Sequence, residues 1–315
     1  MEIKHSIKVA AQKTGLSPHL IRAWEKRYGA IKPARSQTGR RLYSDNDIKR
    51  LILLRRATLQ GERIGQIANL PDSDLEKLTA GSSGLSIADK IIFSDSADDL
   101  DYAKIIDEAI KALKNFDSEK LHYLLMQASI ALTQPIMFEK IIIPLLNKIG
   151  ELWQAGSIKA AHEHIVSTVI RSLLGGMLNS TRPDISSPGL VVTTPAGQAH
   201  EFGAIMAALT AIADGWNALY IGPDLPSEDI ALAVKQNQAK ALALSIVYPP
   251  DDPHLIIELG KLRQYLGKSI PILIGGKAAA DYIDAIDKIS AIYVKDFAGL
   301  RTKLGSIRNR RRNEP

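Results

Sequence analysis

His200 is the residue of this chain best placed for coordination chemistry. It lies in Pro195-Ala196-Gly197-Gln198-Ala199-His200-Glu201-Phe202-Gly203, between the apolar run Leu190-Val191-Val192 and a helical pattern over Glu201–Ala213. A strand-to-helix loop is where a parallel sheet meets its ligands, so a histidine there is well placed to meet one. A lone histidine there is more often a cap or a packed side chain. Two later elements change those odds. Ser245-Ile246-Val247 closes one apolar run and Gly275-Gly276 closes another; 41 residues separate Gly203 from Ser245, and 27 separate Val247 from Gly275.

Two other groups of residues could do chemistry. On the pattern Pro18–Tyr28, His19, Arg22, Lys26 and Arg27 form a polar, basic set, while Leu20, Ile21 and Trp24 can pack inward. Such a helix suits a DNA major groove, with basic side chains on phosphates and one or two on base edges; an isolated one is more often a solvated face. Arg35, then Arg40-Arg41-Leu42-Tyr43, follow in a stretch suited to a hairpin wing on the phosphate backbone. The last group is Trp153 with Glu163-His164 ten residues on. Taken alone, it reads as a packed tryptophan and a solvated acid–base pair.

The elements that must position these residues fall into blocks. Residues 1–78 read as short helices: Ile7–Thr14, a Gly15-Leu16-Ser17 turn with Ser17 as cap, Pro18–Tyr28, the wing, and a longer helix from Ser44. Residues 79–99 are a linker by composition, small and polar, then acidic. Over 100–182 four helical patterns (Ile105–Leu113, Leu121–Leu132, Ile136–Leu152, Ala160–Leu178) predict a four-helix bundle. Over 188–304 five apolar runs alternate with helical patterns, which predicts a Rossmann-like, flavodoxin-like five-stranded parallel sheet. Residues 305–315 are a basic tail, read equally as a phosphate contact or as a disordered end. The fold class is multidomain, α and α/β.

Charge divides along the same lines. Of 315 residues, the first 80 hold 16 Lys+Arg against 8 Asp+Glu, residues 301–315 carry a local +5, and the rest is net negative at −7. A basic head on an acidic body suggests that one end meets a polyanion. With no cysteines, disulfides, thiolate-bound metals and cysteine nucleophiles are excluded. No apolar run reaches membrane-span length and no signal peptide opens the chain, so a cytoplasmic protein without membrane contact is expected.

Val9-Ala10, Thr14-Gly15-Leu16-Ser17, Ile21–Gly29 and Arg40-Arg41-Leu42-Tyr43, in that order, resemble the MerR family of winged helix-turn-helix regulators. The resemblance covers about a quarter of the chain and implies a dimeric reader of operator DNA, with His19, Arg22, Lys26, Arg27, Arg35, Arg40, Arg41 and Tyr43 as the contact set. The constellation of His200, Gly203, Ser245, Val247, Gly275 and Gly276 resembles the cobalamin-binding domain family, whose fingerprint is D-x-H-x-x-G, S-x-L and G-G. It implies His200 as the cobalt ligand and burial of the displaced nucleotide tail beside Ser245 and the two glycines. Gln198 stands where that family has an acid, and is expected to accept the imidazole's second N–H through its amide oxygen.

The order of head, four-helix module and cobalamin domain resembles the cobalamin-dependent photoreceptor regulators of the CarH/LitR type over nearly the whole chain. Their Trp-x9-Glu-His pattern implies that Trp153 packs on a 5′-deoxyadenosyl group and that Glu163 and His164 hydrogen-bond it. The expected cofactor is thus adenosylcobalamin. Gln154 stands where that family has a histidine that takes the cobalt after illumination, so the lit state is expected to hold water or to recruit a neighbour such as His162. The resemblance implies a switch rather than an enzyme: a repressor, tetrameric and operator-bound in the dark, smaller and released in the light. A light-independent sensor of cobalamin or another chromophore, and a corrinoid carrier for methyl transfer, are the alternatives.

Overall fold

The computed structural model describes residues 4–14, 16, 18–36, 39–59, 62–79, 101–180 and 187–312. It divides into two units, 1–166 and 167–315. Beyond Thr79 the expected linker lies outside the described residues, as do the Ser17 cap and the break at 181–186.

The first unit opens with β1 (Lys4–His5), α1 (Ile7–Thr14), α2 (Pro18–Tyr28), β2 (Ala34–Arg35), β3 (Arg41–Ser44), α3 (Asp45–Leu59), α4 (Ile64–Ile67) and α5 (Asp72–Thr79). The first two helices have the bounds that periodicity gives them. β3 is central in a three-stranded antiparallel sheet, and its pairs Ala34↔Leu42 and Arg35↔Arg41 make the wing. A capping box starts α3: Asp47 N donates to Ser44 Oγ at 3.1 Å, while the Asp47 carboxylate accepts from Ser44 N at 2.8 Å. Ile21 and Trp24 are buried in one core with Ile48, Leu51 and Leu54, which turns the basic face of α2 outward.

The helical module follows as α6 (Tyr102–Lys114), α7 (Ser118–Ala131), α8 (Gln134–Ile136), a π-helical stretch (Met137–Ile142), α9 (Ile143–Gln154) and α10 (Ala160–Ser180). Asp101 and Asp117 cap α6 and α7 by accepting from Lys104 N and Lys120 N. Ile105, Ala109 and Leu113 of α6, and Leu121, Leu124, Leu125 and Ala128 of α7, are buried, as their spacing requires. The third expected helix is therefore interrupted by a wider turn at Met137–Ile142. α10 runs from one unit into the other, and Leu178 near its end packs in a core of the sheet unit.

The second unit continues with β4 (Gly189–Thr193), α11 (Phe202–Ala213), β5 (Asn217–Tyr220), α12 (Ser227–Gln236), β6 (Ala241–Ser245), α13 (Pro253–Leu266), β7 (Ile272–Gly275), a 3-10 turn (Ala279–Tyr282), α14 (Ile283–Lys288), β8 (Ile292–Tyr293) and α15 (Phe297–Arg312). The five strands are parallel in the order β5-β4-β6-β7-β8. Their residues are buried on both faces at β6 because each face has its own core: α12, α13 and α14 on one, α11 and α15 on the other. Residues 305–312 of the expected basic tail are the end of α15, whose Leu300, Leu304 and Ile307 are buried; 313–315 lie outside the described residues. Among the described residues no helix is long and apolar enough to cross a membrane.

Candidate functional site

Strand order locates a crevice. Leaving β4, the chain crosses to β5 on one side and then returns to β6 on the other, so the β4–β6 pair is the topological switch point. The two loops that leave those strands are the His200 loop and Ile246–Tyr248. They are joined by Gln198, which is fully buried: its Oε1 accepts from Val247 N at 2.9 Å and from Tyr248 N at 3.2 Å. Other bonds fix the same loop. Thr194 Oγ1 donates to the Gln198 carbonyl and accepts from Asp224 N at 2.8 Å, and Gly197 N donates to Asp224 Oδ1 at 2.7 Å. The His200 ring stands exposed on this fixed loop, edge-on to Tyr248 with centroids 6.2 Å apart.

The expected bond from the imidazole N–H to Gln198 does not form. Both lone pairs of the Gln198 amide oxygen are filled by backbone N–H groups. Gln198 ties two loops together instead.

The crevice has features that fit a corrinoid. Among the described residues, Ser245 Oγ and Gln198 Nε2 are buried without a hydrogen-bond partner, a condition that a polar ligand relieves. A Cβ at Gly203 would come within 2.5 Å of Ser245 Oγ, so α11 and β6 meet closely there. Gly275 and Gly276 are also required within the sheet: a Cβ on Gly276 would lie 2.2 Å from Ile246 O, and one on Gly275 2.9 Å from Val294 O. An exposed imidazole, two unsatisfied donors and a seam of glycines fit a metal-centred group with a polar tail.

Next to His200 is a group that sequence reasoning passed over. Glu201 is buried, and its carboxylate accepts from Arg171 Nε and from Tyr220 OH, each at 2.5 Å. Burial first, then the bond to Glu201, pushes the Tyr220 phenol far above its ordinary value, so it remains a donor. The available signal was a glutamate opening an otherwise apolar helix, FGAIMAALTAIA.

In the helical module, Trp153 lies near the end of α9 and is half exposed. Glu163 ends the first turn of α10 and His164 follows it, with Oε2 and Nδ1 3.5 Å apart. His162 is engaged locally. Its Nδ1 accepts from Lys159 N at 3.1 Å, and its ring packs on Phe116 at 4.2 Å between centroids. Acting as a cobalt ligand, it would have to give up this helix-start bond.

At the head, Arg22, Lys26 and Arg27 of α2 and Arg35 and Arg40 of the wing are exposed. His19 lies on α2, and its side chain is outside the described residues. Two members of the expected contact set are engaged elsewhere. Tyr43 is fully buried in the head core and is therefore withdrawn as a DNA contact, because β3 turns it inward. Arg41 pairs with Glu25, Nε to Oε2 at 2.7 Å, and so fastens the wing to α2.

The MerR HTH family regulatory protein profile matches residues 5–73, and the B12 binding domain profile matches residues 105–175. A DNA-reading head joined to such a module defines the class: a transcriptional regulator with a cobalamin-binding domain. The chain is 30% identical over 290 residues to the HTH-type transcriptional repressor CarH of Myxococcus xanthus, covering 92% of this chain and 94% of that protein. It therefore belongs to the CarH family. The HTH-type transcriptional repressor CarA of Myxococcus xanthus is 24% identical, with 96% and 97% covered. Among solved structures, the Methanosarcina barkeri monomethylamine corrinoid protein matches with a TM-score of 0.52 at 19% identity, over 65% of this chain and 99% of that one, a likeness of fold.

Proposed function

We propose that this regulator is a light-responsive repressor whose cofactor is adenosylcobalamin, ligated at cobalt by His200. The observation that carries the reading is the exposed His200 on a loop fixed at the switch point, within a chain aligned to CarH over 92% of its length. Bound adenosylcobalamin supplies a cobalt–carbon bond that light can break. The chain's own residues do the rest. His200 would hold the metal, and Ser245, Gly203, Val247, Gly275 and Gly276 would receive the cofactor's nucleotide tail. Trp153, Glu163 and His164 would contact the adenosyl group and register whether it is present. In the dark the chain assembles as a tetramer, and several heads on one particle bind the operator far more tightly than one through effective concentration. In the light the assembly becomes smaller and releases DNA, because the ligand favours one state over another.

Measuring operator affinity and molecular mass with adenosylcobalamin and with methylcobalamin, before and after illumination, tests this. Adenosyl-specific assembly lost in the light supports it; equal behaviour in light and dark overturns it. Gln154 and the occupied amide oxygen of Gln198 favour a second reading, a light-independent cobalamin sensor, which predicts that equal behaviour.

On the DNA side, Arg22→Ala should weaken operator binding by about 1–3 kcal/mol if Arg22 meets a base edge. Arg40→Ala should weaken binding to all sequences and lower the salt slope by about one. Gel-shift titrations at two salt concentrations check both; wild-type affinities for the two variants would remove α2 and the wing from the interface.

A further inference from the structure

Glu201 is a buried carboxylate, 8% exposed, beside the residue read as the metal ligand. Burying such a charge is costly unless it is paired, and here both oxygens are filled, one by the Arg171 guanidinium and one by the Tyr220 hydroxyl. Glu201 stands at the N-cap of α11 yet makes no side-chain cap bond. Its carboxylate is directed instead at partners in two other elements, α10 and β5. Arg171 is placed from a second side as well, its guanidinium lying 6.0 Å from the centre of the Phe202 ring. Gln198, meanwhile, spends its amide oxygen on Val247 and Tyr248. Position 198 is thus neutral and committed to two backbone groups, while the buried charge adjacent to His200 is Glu201.

We propose that Glu201, clamped by Arg171 and Tyr220, is the positioning residue that fixes His200 for cobalt ligation in this chain. The proposal rests on the reading of His200 as the ligand.

The test uses the full-length protein loaded with adenosylcobalamin in the dark. The readouts are the absorption spectrum of the bound cofactor, its Kd by titration, and the melting of the unloaded protein. Glu201→Gln keeps the shape and removes the charge; it should shift the spectrum away from the histidine-ligated form and weaken binding by about tenfold, the low end of the range for groups bonded directly to a metal ligand, since Glu201 acts on His200 through the chain. Arg171→Met should do the same from an exposed position, Arg171→Lys should restore most of the loss, and Tyr220→Phe should move the spectrum less in the same direction. Wild-type spectra and affinities for Glu201→Gln and Arg171→Met overturn the clamp. Should Glu201→Gln fail to fold, Arg171→Met with Arg171→Lys as its rescue decides alone. His200→Ala, run in parallel, separates the two ideas. If it loses the histidine-ligated spectrum while the clamp variants keep it, only the clamp fails; if it too keeps that spectrum, the ligand assignment falls first.

Discussion

His200→Ala should bind cobalamin without the spectrum of a histidine-ligated cobalt, and should lose most of its cofactor on desalting. The affinity loss should exceed the ~10–100-fold expected for a residue that only supports the ligand from behind. The variant is informative because it should not disturb the fold. His200 is exposed, and its loop is held without it by Thr194, Gln198 and Asp224. Its removal should change the stability of the unloaded protein by no more than about 0.5 kcal/mol, the usual range for surface substitutions. A normal melt with an altered spectrum assigns the ligand; a normal melt with an unaltered spectrum removes His200 from the metal.

The reach of the sequence can be judged from the same residues. Helix periodicity with Pro18 at the first position bounded α1 and α2 to the residue, since both signals are local. The five apolar runs marked the strands, and the turn residues after them marked the crevice, for a like reason. What periodicity could not say is which side of a strand faces the core. Tyr43 looked like one more polar group in a basic wing, yet the pairing of β3 with β1 and β2 turns it inward. Partner choice was hidden too. Arg41 finds Glu25 and Arg171 finds Glu201 only because the fold brings distant elements together, and no spacing rule encodes such pairs. Gln198 is the subtlest case. Its identity was legible as a departure from a fingerprint, but not the backbone groups that claim its oxygen.

Gly276→Ala should be the most damaging single methyl in the sheet unit. Gly276 has φ +111°, a conformation that L side chains rarely adopt, and an added Cβ would lie 2.2 Å from Ile246 O and 2.8 Å from Ile246 N. Neither neighbour is the yielding end of a side chain. Ile246 is held in place on both sides, its N–H donating to Gly275 O at 2.8 Å and its carbonyl accepting from Ala278 N at 3.2 Å. Relief requires the ends of β6 and β7 to part, which breaks those bonds as well as straining the backbone. Overpacking and strain of this kind together cost about 3 kcal/mol or more. For a unit of this size that is a fall in Tm of roughly 6–12 °C. The damage should also reach the ligand loop, because residues 247 and 248, directly after Ile246, hold Gln198. Gly260→Ala is the matched control: Gly260 lies inside α13, an added Cβ there meets nothing within 4 Å, and it should stabilise by about 0.5–1 kcal/mol. Melting both variants without cofactor measures the contrast. A Gly276→Ala protein melting within a degree of wild type would mean that the β6–β7 seam gives way more easily than its hydrogen bonds imply.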